Sequence, residues 1–94
     1  MRYVVAYDIE PDRPRDRIAK VCESFGRRVQ KSVFECRLEP PGLARLIARL
    51  EAELTAAGGA GDVRIYRLCA DCYHASQGIG RIDEGTGGDP WIIL

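Results

Sequence analysis

The sequence predicts an α+β domain in which two helices lie on one face of an antiparallel sheet. A chain of 94 residues is long enough for one domain with one modest core. Along the chain, segments in which apolar residues alternate with a period of two are interrupted twice by segments with helical periodicity. Their order is β-α-β-β-α-β, which is the ferredoxin-like, or split βαβ, arrangement.

The first strand and the first helix follow directly from the residue types. Residues 2–8 are rich in aromatic and β-branched side chains and predict a strand. Asp12 is suited to cap the helix that follows, and Pro14 is suited to its first turn. Gly26 is placed to end that helix. The apolar face of the helix consists of Ile18, Val21, Cys22 and Phe25.

After the first helix the apolar period changes to two. This change predicts two short strands, at about 27–31 and 33–38, with a tight reversal between them. Pro41 opens a second helix, which ends at the glycines that begin with Gly58. Residues 62–69 alternate again and predict the fourth strand. The apolar stripe of the second helix consists of Leu43, Leu46, Ile47, Leu50 and Leu54.

The core is predicted within residues 1–69, and the remainder is expected to hold a connection and an apolar end. Residues 78–88 include five glycines, which is typical of a flexible connection. The apolar segment 90–94 would be costly to leave in water, since burying each large apolar side chain is worth about 1.5–3 kcal/mol. We therefore expect residues 70–94 to add a C-terminal strand or hook to a single domain of residues 1–94.

Both faces of the predicted sheet are partly apolar. In the first strand, Tyr3, Val5 and Tyr7 alternate with Val4 and Ala6. The helices cover only one of these faces, so the other needs a partner surface. A symmetric homodimer is the simplest way to provide it.

The composition indicates a globular protein of the cytoplasm. Hydrophobic residues make up 46% of the chain and charged residues 30%, which is unlike a disordered segment. No apolar run approaches the ~20 residues that cross a bilayer, so no membrane association is expected. The first residues also lack the pattern of a signal peptide. In the reducing cytoplasm the four cysteines are expected to be thiols.

Positive charge is concentrated in one part of a chain whose formal net charge is zero. Residues 13–31 contain seven basic residues against two acidic ones. Such a segment predicts one positive face of the kind that binds nucleic-acid phosphates. A solvated helix surface with spare arginines is the alternative interpretation.

The most specific local feature is Asp8, an acid that ends an otherwise apolar strand. A carboxylate there is costly unless it is paired or bound to metal, although an Asp at such a position is also common in turns and caps. Its context resembles the CRISPR-associated Cas-two family, the small partner of the integrase in spacer acquisition. The likeness rests on Tyr-Asp-Ile at 7–9, on Arg-Arg-Val-Gln-Lys-Ser-Val-Phe-Glu-Cys at 27–36 and on Val-Arg-Ile-Tyr-Arg-Leu-Cys at 63–69.

The resemblance implies a role for each matching position. Asp8 corresponds to the family's acid at the end of strand one, a catalytic position that binds a divalent cation, Mg²⁺ or Mn²⁺, together with its symmetry mate. Arg15 and Arg17 correspond to basic residues that affect nuclease activity in some members. Arg28 corresponds to the arginine before Val-Gln, and Phe34 to the phenylalanine of Ser-Val-Phe. We expect these last four residues to bind nucleic acid.

The function implied is CRISPR adaptation. A homodimer would bind DNA or RNA and hold the integrase, the Cas-one protein, on the incoming DNA. Members are described either as metal-dependent endonucleases on RNA or duplex DNA or as non-catalytic scaffolds, and both roles stay open. Mg²⁺ needs only one or two carboxylates, so two Asp8 side chains across a two-fold axis would suffice. No general base is evident, and no role is assigned to the single histidine, His74.

Two further interpretations remain at this stage. One is a stand-alone, toxin-like endoribonuclease of the same fold that also uses the acid of strand one. The other is a ferredoxin-like carrier of a metal or small ligand that uses Cys69 and Cys72. Zinc normally takes four ligands, and Cys22 and Cys36 are predicted on core faces, so ordinary thiols are the favoured interpretation of the pair.

Overall fold

The computed structural model describes residues 1–80, and its elements follow the predicted order with one addition. They are, in chain order, β1 (Arg2–Asp8), α1 (Asp12–Phe25), β2 (Gly26–Gln30), β3 (Val33–Arg37), α2 (Pro40–Ala56), β4 (Asp62–Leu68) and α3 (Ala70–His74). The short helix α3 was not expected. The predicted strand or hook at 90–94 lies outside the described residues, as does most of the glycine-rich connection.

The four strands form one sheet in the order β2-β3-β1-β4, and every neighbouring pair is antiparallel. This confirms the ferredoxin-like arrangement of two helices on an antiparallel sheet. Strand β1 is central: it pairs with β4 from Arg2↔Leu68 to Asp8↔Asp62. Residues directly opposite in such a pair point to the same face. The register therefore assigns every strand residue to the helix-covered face or to the open face.

The core lies between the helices and the face of β1 that carries Val5 and Tyr7. Both helices turn the predicted stripes towards the core, although Phe25, Leu43 and Leu54 are only partly buried and Ile47 is 37% exposed. The buried cluster consists of Val5, Tyr7, Ile9, Ile18, Ala19, Val21, Cys22, Phe34, Cys36, Leu46 and Leu50. No helix among residues 1–80 is long and apolar enough to cross a membrane.

Gly26 ends α1 as predicted, but for a different physical reason. Its backbone is extended, with φ near −165°, and needs no left-handed conformation. A Cβ at this position would lie 2.6 Å from Sγ of Cys36 and closer still to the carbonyl oxygen of Glu35. Glycine is therefore required because β2 pairs with β3 at the very residue where the helix stops.

The prediction that Asp12 caps α1 is wrong. Helix α1 begins at Asp12 itself, and Pro11 occupies the N-cap position without any side-chain hydrogen bond. The Asp12 carboxylate instead pairs with the guanidinium of Arg15. A negative charge in the first turn still suits the positive end of the helix dipole.

Candidate metal site and nucleic-acid surface

Asp8 lies on the open face, at the end of β1, and its side chain is exposed. Its direct partner on β4 is Asp62, and the next pair on this face is Ala6↔Arg64. These residues, with Tyr7, line a shallow cleft of about 220 Å³. Two carboxylates and one guanidinium thus meet at one corner of the sheet.

The charges in this cleft are only partly compensated. Carboxylates directly opposite each other in a β ladder repel. Nε of Arg64 lies 3.6 Å from Oδ1 of Asp62, and both side chains are more than half exposed. A hydrogen bond with Tyr66, and then the nearby charge of Asp62, raise the pKa of Arg64. Asp8 has no ion-pair partner within residues 1–80, so it is the carboxylate left to meet an added cation.

The donor set fits a hard divalent cation. Mg²⁺ takes oxygen ligands, keeps several waters and uses one or two protein carboxylates. Asp8 and Asp62 offer that number from adjacent strands. Within residues 1–80 no group of three or more His, Cys, Asp or Glu side chains could hold a metal. A cation here would therefore complete its shell with water or with a second copy of the chain.

Gly61 allows the backbone at the start of β4 to lie close to that of Asp8. It has a φ of +91°, in the left-handed region that disfavours other residues. A Cβ on Gly61 would lie 2.5 Å from the carbonyl oxygen of Asp8 and 2.9 Å from Cγ1 of Ile9. The start of β4 therefore approaches the end of β1 this closely because residue 61 has no side chain.

Arg15 supports the turn that follows Asp8. Its guanidinium donates to the carbonyl oxygen of Glu10 at 2.8 Å and to that of Ile9 at 3.5 Å. It also pairs with Asp12, so its donors are largely engaged within the turn. This placement indicates that Arg15 holds the loop between β1 and α1.

Arg17 extends from the helix layer, on the opposite side of the sheet from the Asp8 carboxylate. Its side chain is 66% exposed, and Nη1 lies 3.9 Å from Oε1 of Glu53 on α2. Arg13 lies beside it, at the rim of a small cleft between the helices. These two arginines form an exposed basic flank of the helix layer, which we call the helix flank.

Arg28 lies on the edge strand, where its side chain contacts two aromatic residues. Its Nη2 donates to the hydroxyl of Tyr7 at 3.3 Å, and its guanidinium carbon is 5.0 Å from the ring centroid of Phe34. The hydrogen bond with Tyr7 is the main reason that the pKa of Arg28 is raised. Tyr7 in turn donates to the carbonyl oxygen of Lys31 at 3.4 Å. Arg28 is thus pre-positioned while remaining exposed.

Phe34 requires a correction. Its side chain is fully buried and stacks on Tyr7 with ring centroids 6.3 Å apart. In this position it has no surface to offer to a nucleic acid, so the expected direct contact is wrong. Its contribution is to pack beneath Arg28.

The basic segment 13–31 does not form one positive face. Neighbouring strand residues point to opposite faces, so Arg27 lies on the open face and Arg28 on the helix-covered face. Arg27 is also 3.7 Å from Glu35, its direct partner on β3. The positive charges are therefore distributed over the helix flank, the sheet edge and the open face.

The structure brings Asp8 together with Asp62 and Arg64 rather than with the other predicted site residues. Asp62 was not singled out from the sequence. The signal that could have identified it is the antiparallel register, because the first residue of the last strand must lie opposite the last residue of the first. His74 is excluded from the cleft, since it follows the far end of β4, roughly 20 Å away at about 3.3 Å per strand residue.

Fold and site together define a small ferredoxin-like domain with an acidic, cation-suited cleft on an uncovered sheet face. The family model for CRISPR associated protein Cas2 matches residues 1–75, so this chain belongs to the Cas2 family. This confirms the resemblance seen in the sequence.

Known relatives are similar to this protein along most of its sequence. CRISPR-associated endoribonuclease Cas2 4 of Rhodospirillum rubrum is 38% identical over 93 residues, which are 99% of this chain and 73% of that protein. The solved structure of Streptococcus pyogenes Cas2 is 30% identical and has a TM-score of 0.65, covering 73% of this chain and 87% of that one. A chain of a partial Cas6-RT-Cas1–Cas2 complex is 27% identical with a TM-score of 0.72, covering 80% and 86% respectively.

Proposed function

We propose that this protein acts in CRISPR adaptation as a homodimer and is a metal-dependent endoribonuclease whose active residue is Asp8. The observation that carries the proposal is the Asp8↔Asp62 pair on a face that is free of helices. Family membership supports the pathway, and favours it over a stand-alone toxin. The name of the Rhodospirillum relative supports RNA as the substrate.

Each residue of the cleft has a chemical task in this proposal. Asp8 and Asp62 would hold Mg²⁺ or Mn²⁺ through carboxylate oxygens. When bound, such an ion supplies charge neutralisation at a phosphoryl oxygen and a more acidic water. Arg64 presents planar N–H donors that suit a phosphate oxygen at the same corner. Gly61 keeps the backbone of Asp8 close to β4, so that both carboxylates can reach one ion.

A non-catalytic scaffold is the second candidate, and the shape of the cleft favours it. The cleft is shallow and open, so it does not exclude water, and no histidine reaches it from residues 1–80. The related chain found in a Cas1–Cas2 complex supports Cas1 as a partner. In this role the arginines bind phosphates and the Asp8 corner is not used for chemistry.

A reconstitution with Cas1 and DNA tests the role in CRISPR adaptation separately from RNA cleavage. The protein is mixed with a Cas1 integrase and a DNA duplex, and the assembly is measured by size-exclusion chromatography with light scattering. We expect a ternary complex whether or not RNA is cleaved. Failure to bind Cas1 together with robust RNA cleavage would support the toxin-like interpretation instead.

The open face supports the proposed homodimer. Val4, Ala6 and Leu68 are only partly covered there, and Tyr66 is 50% exposed. A second copy stacked on this face would cover these side chains. It would also bring two Asp8 corners onto one assembly, where each could complete the ion shell of the other.

Tyr66→Asp is expected to weaken the dimer by at least about 100-fold. A symmetric interface loses the buried ring twice and gains two buried charges, and each ~1.4 kcal/mol is tenfold in affinity. Analytical ultracentrifugation over a concentration series measures the change. Ile47→Asp on α2 is the matched control, since it places the same charge on the helix side. A Tyr66→Asp protein that dimerises like wild type would contradict the use of this face.

Arg17→Ala is expected to flatten the salt dependence of duplex binding. Each phosphate neutralised contributes about −0.9 to the slope of log affinity against log salt. One lost contact should therefore reduce the slope by about 0.9 and weaken all sequences alike, because phosphates carry no base information. Fluorescence anisotropy at several salt concentrations measures it. Arg45→Ala, an exposed arginine of α2, is the control, and an unchanged slope for Arg17→Ala would exclude the helix flank from binding.

A further inference from the structure

A second reactive cluster lies at the opposite end of β4 from Asp8. Cys69 directly follows β4 and Cys72 lies within α3, and both thiols are exposed. The proposed nuclease and scaffold roles use neither of them. The sequence favours ordinary buried or strand-end thiols; Cys69 does lie at the end of β4, and the structure adds that both thiols are exposed and lie within one turn.

The two sulfur atoms are organised with respect to each other. The backbone N–H of Cys72 donates to Sγ of Cys69 at 3.3 Å. That hydrogen bond, followed by one with the thiol of Cys72, lowers the pKa of Cys69. The reciprocal hydrogen bond and the nearby charge of Cys69 raise the pKa of Cys72. Cys69 therefore favours the thiolate form, and Cys72 favours the protonated thiol.

The turn that carries the pair is anchored to the sheet. Tyr73 is almost fully buried, and the guanidinium carbon of Arg2 lies 3.8 Å from its ring centroid. The N–H of Tyr73 donates to the carbonyl oxygen of Cys69 at 2.9 Å. Because α3 is anchored to the sheet in this way, Cys72 is held beside the Sγ atom of Cys69.

A metal is a poorer match to this cluster than a redox reaction. Zinc sites take four ligands, or three with an open position. His74 packs edge-on against Tyr73, and among residues 1–80 no third ligand joins the two sulfur atoms. Two exposed cysteines joined by a backbone hydrogen bond within one turn are suited to form a disulfide, whereas a zinc ion bound there would lack half of its ligands.

We propose that Cys69 and Cys72 form a redox-active dithiol that closes to a disulfide by exchange with a glutathione-class disulfide. The Cys69 thiolate attacks one sulfur of the oxidant, whose S–S bond breaks and releases one glutathione thiolate. Cys72 then loses its proton to water and attacks Sγ of Cys69, which releases the second glutathione thiolate. Two electrons pass from the two protein thiols to the oxidant, and reduced glutathione reverses the reaction.

The other two cysteines provide an internal control. Cys22 and Cys36 lie in the core, where burial raises the pKa of Cys22 to about 12 and that of Cys36 to about 11. Both should remain protonated and unreactive in the native protein at neutral pH. One chain therefore contains one pair of thiols expected to react and one pair expected not to.

The test is a titration of the full chain with mixtures of oxidised and reduced glutathione, quenched in acid, alkylated and mapped by mass spectrometry. We expect a Cys69–Cys72 disulfide at oxidising ratios, with Cys22 and Cys36 alkylated only after denaturation. Cys72→Ser should accumulate a mixed disulfide with glutathione at residue 69. Cys69→Ser should form its mixed disulfide at least about 10-fold more slowly, because Cys72 does not have the backbone N–H hydrogen bond that stabilises a thiolate at Cys69.

Several outcomes would overturn the proposal. Four free thiols at every glutathione ratio would remove the redox activity, and a disulfide at other positions would place it elsewhere. Equal rates for the two single variants would show that the thiols act independently. Protection of both thiols by added zinc, with zinc retained after dialysis, would assign the pair to a metal instead. None of these readouts depends on nuclease activity, so the proposed function is tested separately.

Discussion

Asp8→Asn is expected to reduce metal-dependent cleavage of RNA by at least about 100-fold. The substitution keeps the shape of the side chain and removes the charge that would hold the cation. Metal-ion catalysis contributes several kcal/mol of charge stabilisation, and about 1.4 kcal/mol corresponds to a factor of ten in rate. The measurement is the initial rate on a labelled single-stranded RNA with Mg²⁺ or Mn²⁺, against the same reaction with a chelator.

The loss must be separated from a loss of fold. Asp8→Asn also removes the repulsion between two opposed carboxylates, which is worth about 0.2–1 kcal/mol in a β ladder. We therefore expect the variant to unfold at the same temperature as wild type or slightly above it. Asp62→Asn should show a smaller gain in stability, since it also loses the ion pair with Arg64, and a smaller loss of cleavage, since Arg64 already neutralises part of its charge. Asp16→Asn, an exposed acid of α1, is the neutral control.

The outcomes distinguish the two proposed roles. Cleavage that persists in Asp8→Asn at the wild-type rate would move the active site away from this corner or point to a contaminant. If the wild-type protein cleaves no RNA with either metal, only the scaffold role would remain. In both roles duplex binding by Asp8→Asn should be unchanged, because in our proposal the arginines are the residues that bind the phosphates.

The sheet and the two long helices were predictable because their apolar periods are long and regular. Alternation of Tyr3, Val5 and Tyr7 with Val4 and Ala6 assigned the faces of β1 before any register was known. Helix α3 was missed because its five residues are too few to show a period. It is held by a single buried side chain, Tyr73, which no pattern could have indicated.

The site was predictable only in part because its members come from distant parts of the chain. Asp8 could be found from its own position, but Asp62 became a candidate only once the register of β1 with β4 was known. Phe34 was misassigned because the string that contains it does not reveal which face is covered by helices. Arg27 and Arg28 were grouped by sequence, although a strand sends adjacent side chains to opposite faces.

Gly61→Ala is expected to destabilise the protein by about 2–5 kcal/mol and to impair the Asp8 site as well. A left-handed conformation costs a non-glycine residue about 1–2 kcal/mol, and overpacking against fixed atoms costs about 1–3 kcal/mol more. The added methyl group would press on the carbonyl oxygen of Asp8, 2.5 Å away, and on Ile9 in the core. The backbone of Asp8 must therefore move away from β4, which separates its carboxylate from that of Asp62.

Gly59→Ala is the matched control because it shares the strain but not the contact. Its φ is +77°, and a Cβ there would meet nothing within 4 Å. It should therefore lose only the conformational part, about 1–2 kcal/mol. Thermal unfolding gives the stability difference, and cleavage of RNA well below both transitions gives the effect on the site. Equal unfolding midpoints for the two variants would mean that the end of β1 can move away from the added methyl group at no cost in stability. Asp8 would then owe its position to the Arg15-bound turn instead of to the close approach of Gly61.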